Sequence, residues 1–253
     1  SSFAGLGYVF ISKSIKAKFV GYVLKRFFRL FLNRNTSSII FQNKDDFKFM
    51  IDGDVIKEDR AIIIRGSGVD GRIFSFTKEN NETKNIVLAS RLLWDKGIKE
   101  FVNASKIIKQ NKIKNLRFII VGEIDNQNPA AIKEKELLNW EEKKLIEWWG
   151  YRNDINNIYK DCNIVCLPSY REGLPKALIE AAACGRAIIT TDVPGCREIV
   201  QDGYNGLLVP KKNAQLLAES ILELIKNDSL RNTMGKNGVK LFKENFTIEL
   251  IVS

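Results

Sequence analysis

The sequence has 253 residues, of which 45% are hydrophobic, and it carries a formal net charge of +10. This length suits one large domain or two smaller ones, and the apolar share is typical of a globular protein with a buried core. The chain contains no histidine, so histidine acid–base catalysis within it is excluded and a zinc site built from Cys and His is not expected.

The positive charge is concentrated at the N-terminus, where residues 1–34 hold seven Lys or Arg side chains and no acidic one. The stretch "FVGYVLKRFFRLFLNR" interleaves basic residues with Phe and Leu, which predicts a basic amphipathic helix. Such a helix either packs within its domain with an exposed basic edge or lies on a membrane. An anionic membrane surface is therefore a candidate partner. Nucleic acid is not an expected partner, because the basic residues do not extend across the domain and no nucleic-acid motif is present.

Neither a transmembrane helix nor a signal peptide is predicted. No run of about 18 uncharged apolar residues occurs, and no uninterrupted apolar core with a cleavage site follows the basic segment. The four cysteines form no C-x-x-C pair and fall mostly in apolar runs, which predicts buried free thiols in a reducing compartment. We therefore expect a cytoplasmic protein, with the inner face of the membrane as its candidate place of attachment.

The first 72 residues contain too few predicted elements for an independent domain. Strands are predicted within "SSIIFQN" (37–43) and "RAIIIRGSGVD" (60–70), and two helices accompany them. An α/β domain usually needs about 100–150 residues. We interpret residues 1–72 as the C-terminal part of a Rossmann-like domain whose beginning is absent, followed by a linker at 73–84.

One segment matches the dinucleotide-binding fingerprint but lacks the helix that the fingerprint requires. The sequence "GSGVDG" (66–71) follows a predicted strand and matches G-x-G-x-x-G, yet the stretch "RIFSFTKENNETK" after it is not helical. The fingerprint requires a helix whose N-terminus meets the pyrophosphate. We therefore interpret this segment as a tight turn between domains.

From residue 85 to the end, short apolar runs alternate with helical patterns. The predicted strands are 85–90, 116–122, 145–150, 163–169 and 186–192, and the predicted helices are 96–110, 130–144, 154–162, 175–185 and two within 213–246. The segment "DGYNGLLV" (202–209) resembles a hairpin. Regular alternation of this kind predicts a parallel sheet with helices on both faces.

The segment "REGLPKALIE" (171–180) follows the strand at 163–169 and places two acids beside a helix start. In a parallel α/β sheet, ligands bind outside the carboxyl ends of the strands. The free N–H groups of the helix beginning near Pro175, with Gly173 allowing close approach, form an anion site suited to phosphate. Glu172 in the loop and Glu180 in the helix are each suited to a sugar diol, because a carboxylate accepts at two points. The alternative is that both acids are ordinary solvated residues.

Other predicted strands end in residues of compatible chemistry. In "ASRLLWDKG" (89–97), Arg91 and Lys96 could neutralise a diphosphate without metal, although either alone is more typical of a solvated surface. In "GYRND" (150–154), Arg152 could contact a base, and "DVPGCREIV" (192–200) follows a fourth strand. Four strand ends that face one crevice form a consistent set.

Together, "SRLLWDKG", "GYRND" and "LPSYREGLPKALIEAAACGRAIITTDVPGCREIVQDGYNGLLV" resemble the family 4 glycosyltransferases of the GT-B fold, over residues 60–245. The resemblance implies a retaining enzyme that needs no metal and no cofactor other than a nucleotide sugar as co-substrate. It also implies an α/β chain with a complete Rossmann-like domain at 85–253 beside the partial one. By the resemblance, Arg91 and Lys96 bind the diphosphate, Glu172 the donor sugar and Glu180 the ribose. Arg152, Gly173 and Leu174 complete the expected donor site.

The resemblance therefore implies transfer of a hexose or N-acetylhexosamine from a UDP-sugar onto a lipid-linked saccharide in bacterial surface glycan synthesis. "GLGYVF", "FQN" and "GSGVD" are similar to bacterial members that extend such saccharides. Two alternatives stay open. One is a donor-binding fragment without transfer activity, and the other is a GT-B sugar-nucleotide epimerase.

Overall fold

The computed structural model describes residues 15–33, 38–66, 68–80, 82–111 and 113–252, together with the short strand at 2–3; residues 2–3 and 15–18 are described by their backbone alone. These residues form two parallel sheets, one of three strands and one of six. Of the basic N-terminal segment, Lys13 and Arg34 lie outside the described residues.

The N-terminal unit is a three-stranded sheet covered by two helices. Its elements are β1 (Ser2–Phe3), α1 (Ile15–Phe31), β2 (Ile39–Phe41), α2 (Lys44–Asp52) and β3 (Ala61–Ile63). The strands pair in parallel in the order β1-β2-β3. The sequence predicted only two strands here, because a two-residue strand is too short to produce a recognisable periodicity. The predicted basic helix is confirmed as α1.

The C-terminal unit is a six-stranded parallel sheet with helices on both faces. Its strands are β4 (Lys84–Ala89), β5 (Leu116–Val121), β6 (Glu147–Trp148), β7 (Ile164–Leu167), β8 (Ala187–Thr191) and β9 (Gly206–Val209). Its helices are α3 (Ile98–Lys109), α4 (Glu134–Glu142), α5 (Ile155–Asp161), α6 (Lys176–Ala183), α7 (Pro194–Arg197), α8 (Ala214–Lys226) and α9 (Asp228–Asn245). A last helix, α10 (Ile248–Val252), follows. The predicted strand–helix alternation is confirmed.

The strand order fixes where a ligand can bind. The order is β6-β5-β4-β7-β8-β9, so the chain progresses outward from β4 in one direction and from β7 in the other. β4 and β7 are direct neighbours, paired in parallel through Ile86 with Ile164 and Val87 with Val165. The connections leave this point toward opposite edges, which opens a crevice at the carboxyl ends of the two strands.

Each face of the six-stranded sheet has its own core. One buried cluster includes Phe101 of α3 and Ile221 of α8, and the other includes Leu178 of α6 and Phe242 of α9. Strands covered on both faces are continuously apolar, as in the fully buried "IVCL" of β7. This explains why these strands showed no alternation of apolar and polar residues.

The segment at 202–209 is not a hairpin, which corrects the prediction. β9 pairs in parallel with β8, from Ile188 beside Gly206 to Thr191 beside Val209. The short helix α7 lies between the two strands in sequence, so the chain returns to the same edge before β9 begins. The residues "DGYN" form a turn just ahead of the strand, where Gly203 has φ of 73°.

The predicted linker at 73–84 packs tightly against the C-terminal unit. Glu79 forms an ion pair of 2.8 Å with Arg231 of α9, and the Arg231 side chain is fully buried. Asn163 also donates a hydrogen bond of 3.0 Å to Glu79. The guanidinium of Arg186, 0% exposed, donates to the carbonyl oxygens of Thr77, Cys184 and Cys162. These contacts fix the segment to the larger unit.

Two further expectations can be compared with the structure. All four cysteines are buried and free, as predicted, and burial raises the pKa of Cys196 to about 12. Within the described part of the chain, no helix has the length and apolar character required to cross a membrane.

Candidate functional site

The candidate site lies where the loops after β4 and β7 meet. A single turn of 3₁₀ helix at Trp94–Lys96 precedes α3 in the first loop. Its Asp95 carbonyl accepts hydrogen bonds from the Tyr170 N–H at 2.8 Å and from Ser169 Oγ at 3.1 Å. We call residues 168–175 the β7 loop. The backbone of Asp95 therefore holds the two loops together at the crevice.

Gly97 allows this close approach. It has φ of 73°, and a β-carbon at this position would lie 2.0 Å from the carbonyl oxygen of Pro168. Any side chain here would separate the two loops, and the left-handed conformation would add strain. Glycine at position 97 therefore places Lys96, one residue earlier, directly against the β7 loop.

Lys96 and Glu172, predicted from separate motifs, form a direct ion pair. The distance from Nζ to Oε1 is 2.6 Å, and the two side chains are only 16% and 11% exposed. An ammonium group has three donors, so Lys96 can hold Glu172 with one and offer the others to a ligand. A carboxylate and a cation are thus presented side by side at the mouth of the crevice.

Backbone N–H groups of the β7 loop are open beside this pair. Within the described residues, the N–H groups of Glu172, Gly173 and Leu174 donate no hydrogen bond to the protein. Pro175 is the N-cap of α6 and makes no side-chain cap, which corrects the prediction that it would be the first helical residue. Unpaired N–H groups ahead of a helix attract anions. The loop can therefore bind phosphate oxygens.

Glu180 lies in α6 and is buried, with 9% of its surface exposed. Burial raises the pKa of its carboxyl group, and the nearby Lys176 ammonium, 3.7 Å away, partly offsets this. A buried acid without a close full partner is unusual in a helix that only needs to pack. Its position is compatible with the predicted role as an acceptor for a diol.

The remaining predicted cations lie at the surface. Arg91 follows β4 at the crevice, is exposed, and forms no ion pair with any residue that the structure describes. Arg152 instead makes a bidentate pair with Asp154, at 2.7 and 2.6 Å, which lowers the pKa of the Asp154 carboxyl. Its guanidinium also lies 5.8 Å from the ring centre of Trp149. Among the described contacts, none joins Arg152 to the Lys96–Glu172 pair.

The structure adds Arg171, to which the sequence analysis assigned no role. Burial lowers the pKa of its guanidinium, while the negative charges of Asp46, Asp95 and Glu172 act in the opposite direction. Asp46 belongs to the N-terminal unit, so Arg171 lies where the two units meet. Its position next to Glu172 in sequence was the one available signal.

The N-terminal unit also touches the β7 loop directly. Asn43, which precedes α2, donates a hydrogen bond of 2.9 Å to the carbonyl oxygen of Gly173. Leu174 packs against Gly66, where a β-carbon would lie 2.9 Å from its Cδ2 atom. Gly173 and Leu174, both predicted site residues, are therefore held from the N-terminal side.

No group of three or more His, Cys, Asp or Glu side chains in the described residues is arranged to hold a metal ion. The sequence contains one Asp-x-Asp motif, Asp52–Gly53–Asp54. It lies at the end of α2, where Asp54 pairs with Arg29. That is the opposite end of α2 from Asn43, which contacts the β7 loop.

The family model of glycosyl transferases group 1 matches residues 70–241. The chain is 33% identical over 249 residues to the N,N'-diacetylbacillosaminyl-diphospho-undecaprenol alpha-1,3-N-acetylgalactosaminyltransferase of Campylobacter jejuni, covering 93% of this chain and 63% of that protein. It is 27% identical to the UDP-Gal:alpha-D-GlcNAc-diphosphoundecaprenol alpha-1,3-galactosyltransferase of Escherichia coli, covering 90% and 61%. The chain thus spans about three fifths of the length of these curated relatives.

Solved structures agree in fold. Anabaena HepE in complex with UDP superposes with a TM-score of 0.78 at 20% identity, over 90% of this chain and 65% of that one. The C-terminal domain of a glycosyl transferase group 1 family protein (LpcC) from Francisella tularensis has a TM-score of 0.60 at 27% identity, over 72% of this chain and all of that one. These likenesses and the two parallel sheets show the GT-B architecture. Because the family model matches residues 70–241, which is more than half of the chain, the chain belongs to the glycosyl transferases group 1 family.

Proposed function

We propose that this chain is the donor-binding part of a retaining, metal-independent glycosyltransferase. It would move a hexose or N-acetylhexosamine from a UDP-sugar to a lipid-linked saccharide in bacterial surface glycan synthesis. The observation that carries this proposal is the 2.6 Å Lys96–Glu172 pair beside open N–H groups, at the point where β4 and β7 diverge. The site combines a cation, an acid and anion-binding amides at one crevice.

The cationic groups would stabilise the departing diphosphate. Lys96 keeps one donor on Glu172 and turns its others toward phosphate, and the exposed Arg91 adds a second positive charge. Stabilisation of charge that develops on a leaving group, together with positioning, supplies most of the barrier reduction in such reactions. This division of labour requires no histidine, and the chain has none.

The two acids would hold the hydroxyl groups of the donor. Glu172 is fixed by Lys96 at the mouth of the crevice and would accept from the transferred sugar. Glu180 lies deeper, in α6, and would accept from the ribose. Because each carboxylate accepts at two points, both are suited to vicinal hydroxyl groups.

The printed names of relatives support the donor and acceptor classes. The E. coli relative is named for UDP-Gal and a diphosphoundecaprenol-linked acceptor, and the C. jejuni relative for a diphospho-undecaprenol acceptor. Anabaena HepE was solved with UDP. The proposal extends these chemistries to the present chain.

A second candidate is donor binding without transfer by this chain alone. The described N-terminal unit has three strands against six in the C-terminal unit. A GT-B site lies between two domains, since the acceptor must be held against the donor's anomeric carbon while water is excluded. A small first unit favours binding without transfer.

Transfer of labelled sugar from UDP-sugars to lipid-linked acceptors tests the proposal. We expect a version of the length of the curated relatives to transfer sugar with retained anomeric configuration and to keep its activity in excess EDTA. Loss of activity in EDTA, restored by Mn²⁺, would contradict metal independence. Transfer by the 253-residue chain alone would remove the second candidate.

We also propose that α1 attaches the protein to an anionic membrane surface. Phe28 and Leu32 pack on the core of the N-terminal unit, whereas Phe19 and Leu30, on the opposite side, are 69% and 66% exposed. Arg26 shares the outward side. Aromatic and basic side chains on one exposed face suit the boundary between headgroups and acyl chains. Lys13 and Arg34, part of the original expectation, lie outside the described residues.

A further inference from the structure

We infer that Asn43 is a positioning residue for the donor site: it fixes the Gly173–Leu174 peptide of the β7 loop from the N-terminal unit. The inference rests on the proposed function and deepens it. It assigns a role to the "FQN" segment, which is 130 residues away from the loop in sequence. The claim concerns orientation of the loop, because the side chain contacts the loop's backbone and not the crevice.

The Asn43 side-chain amide forms hydrogen bonds with two neighbouring residues, Asp46 and Gly173. Its Oδ1 accepts from the Asp46 N–H at 2.8 Å and so caps the start of α2. Its Nδ2 donates to Asp46 Oδ2 at 3.0 Å and to the Gly173 carbonyl at 2.9 Å. Asn43 is 0% exposed, so no water replaces these partners. The cap fixes which end of the amide faces α2, and the NH₂ group is therefore the one that meets the β7 loop.

The Gly173 carbonyl has little freedom apart from this hydrogen bond. A β-carbon on Gly195, in α7, would lie 2.3 Å from that carbonyl oxygen. The backbone of α7 thus closes one side of the peptide, and Asn43 bonds to its oxygen. Leu174, the next residue, is packed against Gly66.

Holding this carbonyl also sets an amide that faces the ligand side. The C=O of Gly173 and the N–H of Leu174 belong to one planar trans peptide, so they point in opposite directions. When Asn43 binds the oxygen, the Leu174 N–H is turned away from Asn43. That N–H is one of the open donors of the β7 loop. If the peptide rotated, the loop would present a carbonyl oxygen where an anion is expected.

The matching variant is Asn43→Asp, which keeps the cap but removes the donor. Asp is as good an N-cap as Asn, so α2 should remain folded. The carboxylate oxygen that replaces the NH₂ group would lie about 3 Å from the Asp46 carboxylate and from the Gly173 carbonyl oxygen. At neutral pH it would be repelled by both. Asp46 contacts position 43 directly. The other charged residues on the elements packed there are Lys44 and Asp45 at the start of α2, Arg171 and Glu172 on the β7 loop, and Arg197 and Glu198 at the end of α7. Protonation of the introduced carboxyl group at position 43 restores a donor toward the Gly173 carbonyl, so the defect should fade as pH falls.

Two measurements test the Asn43→Asp variant. Each value is expressed as a ratio to that of the parent at the same pH. The first is hydrogen exchange of the β7 loop in the free chain, measured at the Tyr170 N–H, which is protected by its bond to the Asp95 carbonyl and becomes exposed when the loop loosens. The second is UDP affinity by calorimetry. At pH 8 we expect exchange about tenfold faster and affinity about tenfold weaker, in line with loss of one buried hydrogen bond, with both ratios returning toward one near pH 5.

Asn43→Ser and Gln42→Glu are the controls. Serine also caps the helix but does not reach Gly173, so its defect should be the same at every pH. Gln42→Glu makes the same amide-to-acid change one residue away and should match the parent.

Equal loop exchange in Asn43→Asp and parent would overturn the inference. So would a pH-independent defect accompanied by equally fast exchange throughout α2, because that result indicates a purely structural role. If the parent fails to bind UDP, the proposed function fails, while the exchange of the free chain still decides the role of Asn43.

Discussion

The two units of the molecule differ in how they are stabilised. The C-terminal unit buries a core on each face of its sheet and contains the Arg231–Glu79 ion pair in its interior. Among the residues that the structure describes, the buried cluster of the N-terminal unit has five members, Ile39, Phe41, Met50, Val55 and Ile56. A core this small is marginal by itself, since the fraction of surface buried falls with domain size. The C-terminal unit therefore has the larger core of its own, whereas the N-terminal unit relies more on contacts with its neighbour.

Those contacts converge on the start of α2. The Lys44 N–H donates to Glu198 at 2.9 Å, and Arg197 approaches Asp45 at 3.5 Å. Arg65 approaches the same Glu198 at 3.4 Å. Because Asn43 lies at this junction too, the stability of the N-terminal unit and the shape of the β7 loop depend on one interface.

The largest expected effect concerns the ion pair inside the C-terminal unit. Arg231→Met leaves the Glu79 carboxylate buried without its cation and should cost about 3–5 kcal/mol of unfolding free energy. The double variant Arg231→Met/Glu79→Leu should recover most of this loss, since both charges are removed together. Urea unfolding of parent, single and double variants measures the difference. A single variant within about 1 kcal/mol of the parent would mean that the pair is not important to this unit.

A second prediction separates the two units. Phe41→Ala removes a fully buried ring from the smaller core and should cost that unit about 3 kcal/mol. Limited proteolysis should then cleave residues 15–66 faster, with the urea midpoint of the C-terminal unit unchanged. Phe101→Ala, in the larger core, should have the reverse pattern. Equal responses of both units to both variants would show that they unfold as one.

The sequence predicted the local structure of the C-terminal unit well, because local patterns encode it. Apolar runs of strand length became strands, and segments with helical spacing became helices. The predicted helix at 175–185, for example, corresponds to α6, and Gly185 directly after its C-cap has φ of 74°. The strand at β1 was missed because two residues carry no period. β9 was assigned to a hairpin because turn residues precede it whether the next strand is parallel or antiparallel.

The candidate site was predicted in parts and not as an assembly. Lys96 and Glu172 were each identified from the end of a strand, but their direct pairing depends on the close approach at Gly97, 71 residues before Pro168 in the chain. Asn43 and Gly173 are 130 residues apart, and no periodic pattern relates them. Contacts between distant residues depend on the packing of whole elements, which a single sequence does not reveal.

Glu180→Gln should affect binding and stability in opposite directions. Loss of a charged acceptor should weaken UDP binding by about 1–3 kcal/mol. Because burial raises the Glu180 pKa above its ordinary value of 4.5, the native state binds more protons and parent stability falls as pH rises through this window. The glutamine variant avoids this penalty and should be more stable by about 0.5–2 kcal/mol at neutral pH, with no gain below pH 4.5.

Calorimetry and urea unfolding at several pH values test both halves, with Glu223→Gln on the exposed side of α8 as the matched control. Unchanged UDP affinity would remove the proposed role of Glu180. A variant less stable than the parent at neutral pH would contradict the burial argument.

The smallest expected effect concerns the outward side of α1. Arg26→Gln should weaken binding to anionic vesicles by about 1 kcal/mol at low salt, whereas Lys243→Gln on α9 should not. Sedimentation with anionic and neutral vesicles measures this, and added salt should reduce the difference. Equal binding of the parent to both kinds of vesicle, or to neither, would rule out an electrostatic membrane surface.

The central claim is that a nucleotide diphosphate binds at the Lys96–Glu172 pair, and titration of the 253-residue chain with UDP tests it most directly. Lys96→Ala removes the ammonium at the crevice, and Lys106→Ala removes an exposed one on α3 as the control. We expect UDP to bind the parent and Lys106→Ala alike, and to bind Lys96→Ala at least about tenfold more weakly, as loss of a charged hydrogen bond implies. Equal affinity of all three proteins, or no binding to the parent, would contradict the account.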